Sequence, residues 1–258
     1  EASYGILKDA FDPTVTVDDL IANAQDGVHK AISGNLKNPY KHVSEVVNMS
    51  MERIQRVQNS EGITGVHSGF QKVDQFTMGW QKGNLIILGA RPSVGKTAVA
   101  LNLTRNAAVA FNHPVAFFSL EMSNEQLASR VLSTEARVES NKLRSGDISS
   151  EEWVRLAEAT DRLTKCNLYF DDTSTITVPD IKSKIKRTKD VDCIIIDYLG
   201  LMHSAKHTDN RVQEISEITR NLKIMAKELN IPMLVCAQLN RGVEGKGGTK
   251  HKPGLADL

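Results

Sequence analysis

Residues 85–97 read LIILGARPSVGKT, a short apolar run followed by a turn and by the start of a helical pattern. This strand-loop-helix order is that of a phosphate-binding loop, in which backbone N–H groups and the helix N-terminus surround nucleotide phosphates. In such a loop Lys96 would supply a positive charge to the phosphates, and the Thr97 hydroxyl would ligate Mg²⁺. The pattern starts with Ala90 where the strict form has glycine, but Gly89 precedes it and a methyl group is small. The alternative is a chance Gly-Lys-Thr at the start of a helix.

The rest of the chain alternates between strand-like and helix-like patterns. Strand-like stretches occur at 115–120, 167–170, 193–196 and 233–237, and helices are expected at 97–111, 124–138, 150–163, 178–187 and 211–229. A fully apolar run such as 193–196 is typical of a parallel strand that is covered on both faces. The alternation implies crossover helices, so we predict an α/β fold with a mostly parallel, doubly wound sheet and helices on both faces.

The first 60 residues show helical patterns without strands. Apolar residues recur at three- and four-residue spacing over 17–32 and again over 43–57. Residues 61–69 contain three glycines and are typical of a connection. We therefore divide the chain into a helical linker region, 1–60, and an α/β domain, 61–258. Two amphipathic helices cannot enclose a core, so their apolar faces must dock either on the domain that follows or on a neighbouring subunit.

Polar side chains follow three of the predicted strands. Asp197 comes directly after 193–196, where a carboxylate would hold the magnesium shell, although an aspartate at a strand end can also cap a turn. Glu121 follows 115–120 and could polarise the attacking water; a strand-end glutamate is also common as a helix cap or a solvated charge. Gln238 follows 233–237 and could sense the γ-phosphate by hydrogen bonding.

Composition excludes few functions. The chain is 40% hydrophobic and 24% charged with a net charge of +1, which is ordinary for a globular protein and compatible with a local basic lining for DNA. No apolar run reaches transmembrane length and no secretory signal is visible, so we expect a cytoplasmic protein. Cys166, Cys193 and Cys236 lack metal-type spacing, and we interpret them as reduced packing residues.

Several further stretches follow the phosphate-binding loop in a distinctive order. They are SLEMS at 119–123, IDYL at 196–199, DNR at 209–211 with EIS at 214–216, and QLNR at 238–241. Together with GF at 69–70 and the glycines before the loop, they closely resemble the motifs of the DnaB-type hexameric replicative DNA helicases of bacteria and phages. The resemblance runs from about Thr16 to the end of the chain, and several matches in order are far more specific than any one.

The resemblance implies a RecA-like P-loop motor that hydrolyses Mg-ATP at the subunit boundaries of a homohexameric ring. Such a motor translocates on single-stranded DNA and unwinds duplex at the replication fork, with primase and a helicase loader as partners, in a bacterial or phage-infected cytoplasm. The residue roles that it implies are phosphate binding by Ser93, Gly95, Lys96, Thr97 and Ala98, catalysis by Glu121, Lys96 and Gln238, metal binding by Thr97 and Asp197, and nucleotide contact by Arg130. A helical arginine in a surface ion pair would explain Arg130 as well.

The chain departs from the family pattern at both ends. The family's N-terminal helical domain is not within it, and the family continues beyond Leu258 into a DNA-binding loop and the basic residues that reach a neighbour's ATP. We expect an incomplete motor with weak hydrolysis, unless the trans-acting basic residue is Arg211, Arg220 or Arg241. Two alternatives to a helicase motor are a strand-exchange recombinase, which shares the RecA-like core, and an interaction module that uses ATP only for assembly.

Overall fold

The computed structural model describes residues 40–59, 62–188, 190–204 and 210–239, together with the isolated positions Leu7, Ala10, Phe11, Val17 and Leu20. The chain forms two compact units, Glu1–Asn59 and Ser60–Leu258. In the first unit, helix α1 spans Val43–Asn59, where the apolar spacing predicts a helix. The helix predicted over 17–32 lies outside the described residues, apart from Val17 and Leu20.

The second unit is built on a parallel sheet. Its strands are β1 (Leu85–Ala90), β2 (Val115–Ser119), β3 (Leu168–Asp171), β4 (Cys193–Asp197) and β5 (Met233–Gln238). In the described part of the chain these form one five-stranded sheet in the order β1-β5-β4-β2-β3, with every neighbouring pair parallel. Parallel neighbours need crossover connections, which the intervening helices supply. The predicted α/β fold is confirmed.

The helices of this unit follow the predicted pattern with two additions. They are α2 (Gln71–Thr77), α3 (Lys96–Arg105), α4 (Asn124–Ala136), α5 (Ser140–Ser145), α6 (Ser150–Lys165), α7 (Val178–Arg187) and α8 (Arg211–Leu229). The helix expected over 97–111 is divided, because a π-helical turn, Asn106–Ala110, follows α3. The pattern did not predict α2 and α5, which at 7 and 6 residues are too short to show a repeat. None of the described helices is long and apolar enough to cross a membrane.

The sheet separates two layers of the core, and β4 contributes side chains to both. Ile194 and Ile196 pack in the layer formed with α7 and α8, whereas Cys193 and Ile195 pack in the layer formed with α3 and α4. All four side chains are fully buried. Because successive side chains of a strand point to opposite faces, a strand covered on both sides needs an unbroken apolar run.

The cysteines are packing residues, as predicted. Cys193 and Cys236 are buried in the sheet, Cys166 is partly buried, and all three are free thiols. Burial raises the pKa of the Cys193 and Cys236 thiols far above the ordinary value. Both therefore stay protonated and unreactive.

The segment before β1 is held by a strand-like bridge and by a buried carboxylate. Val66 and Trp80 form an antiparallel bridge, and both side chains are buried. The Asp74 carboxylate is 3% exposed and accepts hydrogen bonds from the backbone N–H groups of Ser68, at 2.8 Å, and Gly69, at 3.0 Å. Charged acceptors make the stronger class of hydrogen bond, so Asp74 ties this turn to the start of α2.

A buried glutamate joins three helices. Glu135, near the end of α4, accepts hydrogen bonds at 2.6 Å from the Nε atoms of Arg105, at the end of α3, and Arg162, in α6. Burial opposes ionisation, but the two guanidinium groups outweigh it and hold the pKa of Glu135 below its ordinary value. The charged form is therefore favoured by folding, and it stabilises the packing of these helices.

We predict that Glu135→Gln lowers the free energy of unfolding by about 1–3 kcal/mol at pH 7, because two cations lose their shared carboxylate. A depressed folded-state pKa contributes stability that is complete above the unfolded value, near 4.3, and is lost as the pH falls through the folded value. The difference in the free energy of unfolding between Glu135→Gln and wild type should therefore shrink below pH 4. Urea unfolding measures it, with the exposed Glu158→Gln in α6 as the control. A difference that does not change with pH would contradict this account.

Candidate nucleotide-binding site

The carboxyl ends of the strands bring the predicted site residues to one edge of the sheet. Ala90 of β1 lies opposite Gln238 of β5, and Ser119 of β2 lies opposite Asp197 of β4. In parallel α/β sheets this edge, beyond the strand ends, is where ligands bind.

The loop between β1 and α3 has the backbone of a phosphate-binding loop. Ser93 and Gly95 adopt positive φ angles of 61° and 98°, and α3 begins at Lys96 directly afterwards. No side chain caps this helix start among the described residues. The N–H groups of its first turn therefore remain available to an anion, which the helix dipole also favours.

Asp197 connects this loop to the sheet. The Thr97 hydroxyl donates a 2.6 Å hydrogen bond to Asp197 Oδ2, and Lys96 Nζ lies 3.2 Å from Asp197 Oδ1. Asp197 is only 1% exposed, and apart from this ion pair with Lys96 its Oδ1 has no hydrogen-bond partner among the described residues. The ammonium of Lys96 also lies 3.9 Å from the centroid of the Tyr198 ring, a cation–π contact.

The oxygens beside the loop fit a magnesium ion. A carboxylate and a hydroxyl are hard oxygen ligands, and Mg²⁺ uses one or two of these together with water and substrate phosphates. Asp197 Oδ1 is buried with the Lys96 ammonium 3.2 Å away as its ion-pair partner, and its remaining acceptor capacity is what such a shell would satisfy. The described residues contain no cluster of three or more His, Cys, Asp or Glu side chains suited to a metal.

Most of the predicted site residues line one cleft of about 460 Å³. Its lining comprises the loop from Ala90 to Ala98 without Val94, together with Glu121, Met122, Arg130 and Gln238. Asp197 is not part of the lining, and it reaches the cleft through its contacts with Lys96 and Thr97. A larger groove of about 980 Å³ adjoins the cleft and shares Ala98, Met122 and Arg130 with it.

The turn after β2 presents Glu121 to the cleft. Leu120 donates its backbone N–H to the Asp197 carbonyl at 2.8 Å, and Met122 donates its own to Ser119 Oγ at 2.9 Å. Glu121 itself is exposed, so its carboxylate can meet water. Gln238 is likewise exposed at the end of β5.

The sequence pattern does not identify two neighbours of the site. Tyr198 and Met122 each follow a predicted site residue directly, and that adjacency was the signal that could have found them. Of the basic residues considered as trans-acting groups, Arg211 is engaged with Glu214 and with the carbonyls of Gly200 and Met202. Arg220 is exposed on α8, and Arg241 lies outside the described residues.

Comparison with known proteins shows which family the chain belongs to. Residues 65–258 match the family described as the DnaB-like helicase C-terminal domain. The chain belongs to this family. It is 38% identical over 258 residues to the replicative DNA helicase DnaC of Bacillus subtilis, and the match covers 98% of this chain and 56% of that relative.

Two solved structures are similar to this chain. One, described as an ATPase domain, superposes with a TM-score of 0.79 at 33% identity, covering 85% of this chain and 78% of that one. A DnaB-like replicative helicase, described together with its interactions with primase, gives a TM-score of 0.75 at 30% identity, covering 100% and 60%. The second unit is therefore a RecA-like ATPase domain of the DnaB-like family, and the chain spans little more than half the length of the curated relative.

We predict that Gly95→Ala weakens ATP binding at least about tenfold. The added Cβ meets nothing within 4 Å, so the effect arises from the φ of 98°, which costs an L-residue about 1–2 kcal/mol and shifts the loop. Gly146→Ala is the matched control, because Gly146 has a φ of 79°, equal free space and a position away from the cleft. Calorimetric titration with ATP should show loss of affinity for Gly95→Ala alone. Equal affinities would show that the loop tolerates the strain.

Proposed function

We propose that this chain is the motor part of an ATP-dependent replicative DNA helicase that translocates on single-stranded DNA and unwinds duplex at the fork. The observation that carries the proposal is the cleft, in which a phosphate-binding loop, Glu121 and Gln238 meet beside the buried Asp197. Membership of the DnaB-like family supports the choice of a DNA motor over other uses of the same ATPase fold.

In the proposed function the nucleotide is ATP and the metal is Mg²⁺. Ser93, Gly95, Lys96, Thr97 and Ala98 surround the phosphates, while Thr97 and Asp197 hold the magnesium shell. The metal ion, when bound, neutralises charge that builds up on the phosphate oxygens. Lys96 adds a fixed positive charge at the same place, which stabilises the transition state more than the ground state.

Glu121 acts as the base that orients and polarises the attacking water. Its exposure leaves room for that water, and the bonds on both sides of it restrict the turn that carries it. Gln238 lies at the end of the strand next to the loop, so a hydrogen bond to the γ-phosphate would transmit the nucleotide state to the segment that follows β5. Arg130, which lines the cleft, contacts the nucleotide.

Membership of the family supports a proposal for the assembly and the partners. We propose a homohexameric ring with single-stranded DNA and forked duplex as ligands, and with primase and a helicase loader as protein partners. One similar structure is described with its interactions with primase. Residues 1–60 serve as the linker region and 61–258 as the motor domain. Because bacterial DNA lies in the cytoplasm, the proposal implies a cytoplasmic location.

We predict that Glu121→Gln binds Mg-ATP within about threefold of wild type but hydrolyses it roughly 10²–10⁴ times more slowly, because the base is lost while the shape is kept. Lys96→Ala should lose hydrolysis and also bind more weakly. Steady-state turnover and calorimetry separate the two effects, with the neighbouring Glu125→Gln as a control of equal charge change. Loss of ATP binding in Glu121→Gln would recast Glu121 as structural.

A motor is distinguished from an assembly module by its response to DNA. We expect single-stranded DNA to raise ATP turnover by the full-length protein that carries this chain, and Lys96→Ala to abolish both turnover and unwinding of a forked duplex. Turnover measured with and without DNA, together with strand displacement, tests this. Hydrolysis that ignores DNA would favour the module, and filaments instead of rings in negative-stain images would favour a recombinase.

A further inference from the structure

The end of edge strand β3 is tied to the turn that carries Glu121. Asp172, the residue after β3, accepts two hydrogen bonds from Asn124, the first residue of α4. The backbone N–H of Asn124 donates to Asp172 Oδ2 at 2.9 Å, and its side-chain Nδ2 donates to Asp172 Oδ1 at 3.0 Å. Two parallel bonds to one carboxylate fix both the position and the orientation of Asn124.

These bonds complete a set that holds the turn at both ends. On one side, the Leu120 N–H is bonded to the Asp197 carbonyl of β4, at 2.8 Å. On the other side, Asn124 is bonded to Asp172, beyond β3. Only the residues 121–123 lie between these anchors, so the path of the backbone that carries Glu121 is determined from two different strands.

The start of α4 has a separate cap. Ser123 and Gln126 form a capping box, in which the Ser123 side chain accepts from the Gln126 N–H and the Gln126 side chain accepts from the Ser123 N–H. Asp172 satisfies one more donor of the first turn, and it does so from the segment directly after β3. The side-chain amide of Asn124 turns its Nδ2 toward Asp172, and its Oδ1 is then buried without a hydrogen-bond partner among the described residues. The reverse orientation would point that oxygen at the carboxylate.

We propose that Asp172 is a positioning residue for the hydrolytic step, acting through Asn124 on Glu121. This inference rests on the proposed function, in which Glu121 orients the attacking water. A general base contributes only when it stays within hydrogen-bond reach of the proton that it accepts, and small displacements of reacting groups are costly. Loss of the bonds to Asp172 releases one end of the turn while the phosphate-binding loop and its contact with Asp197 remain intact.

The test compares Asp172→Ala with Ser149→Ala in the full-length protein. Ser149 is the capping-box residue of α6, so its removal weakens a helix start that does not line the cleft. We expect Asp172→Ala to lower kcat for ATP hydrolysis about 10- to 100-fold with the KM for ATP unchanged within about twofold. Ser149→Ala should change only the melting temperature. Asn124→Ala keeps the backbone hydrogen bond to Asp172, so its kcat should lie between those of wild type and Asp172→Ala.

Amide hydrogen exchange supplies a readout that does not require turnover. A peptide covering 120–124 should exchange faster in Asp172→Ala than in wild type or Ser149→Ala. Unchanged exchange in this peptide, or a kcat for Asp172→Ala no lower than that of Ser149→Ala, would overturn the proposal. A loss of ATP affinity as large as the loss in kcat would also overturn it. If Asp172→Ala does not fold, Asn124→Ala decides by the same two measurements. If Glu121→Gln also leaves hydrolysis unchanged, the proposed function fails, and the exchange result still decides whether Asp172 holds the turn.

Discussion

The buried carboxyl group of Asp197 is the contact on which the geometry of the site depends. Its side chain meets the Thr97 hydroxyl and the Lys96 ammonium, and its backbone carbonyl accepts the N–H of Leu120. One residue at the end of β4 therefore joins the first turn of α3 to the turn after β2. A buried charge is unfavourable unless it is paired, so the groups around Asp197 have little freedom to move apart.

Helix α3 is held at both of its ends. Its first turn is bound to Asp197, and its last residue, Arg105, is bound to the buried Glu135 of α4. The next residue, Asn106, donates through its side chain to the carbonyl of Ser68. The helix that begins directly after the loop at 90–95 is thus fixed to the sheet, to a neighbouring helix and to the segment before β1. Such support lets a loop keep a functional shape.

The turn after β2 has a comparable arrangement on a smaller scale. Leu120 is buried and Met122 is partly buried against the core, while hydrogen bonds to β4 and to the end of β3 fix the backbone on either side of Glu121. Loops at the carboxyl edge of an α/β sheet must leave their polar side chains exposed if they are to bind ligands there. Backbone hydrogen bonds to rigid strand ends allow this exposure without loss of position.

The amino-acid pattern by itself determined the parallel sheet, the five strands described and most helices, and it predicted several of the residues that line the cleft. Unbroken apolar runs such as 193–196 demand burial on both faces, and the loop at 90–97 requires its residue types at fixed spacing. Only the tertiary structure decided the strand order, the short helices α2 and α5, and the partners of Asp74, Glu135 and Asp172. These contacts join residues that lie far apart in the chain or in elements too short to show a repeat. A local pattern records which residue types are present, but a hydrogen bond between distant residues depends on where the folded backbone brings them.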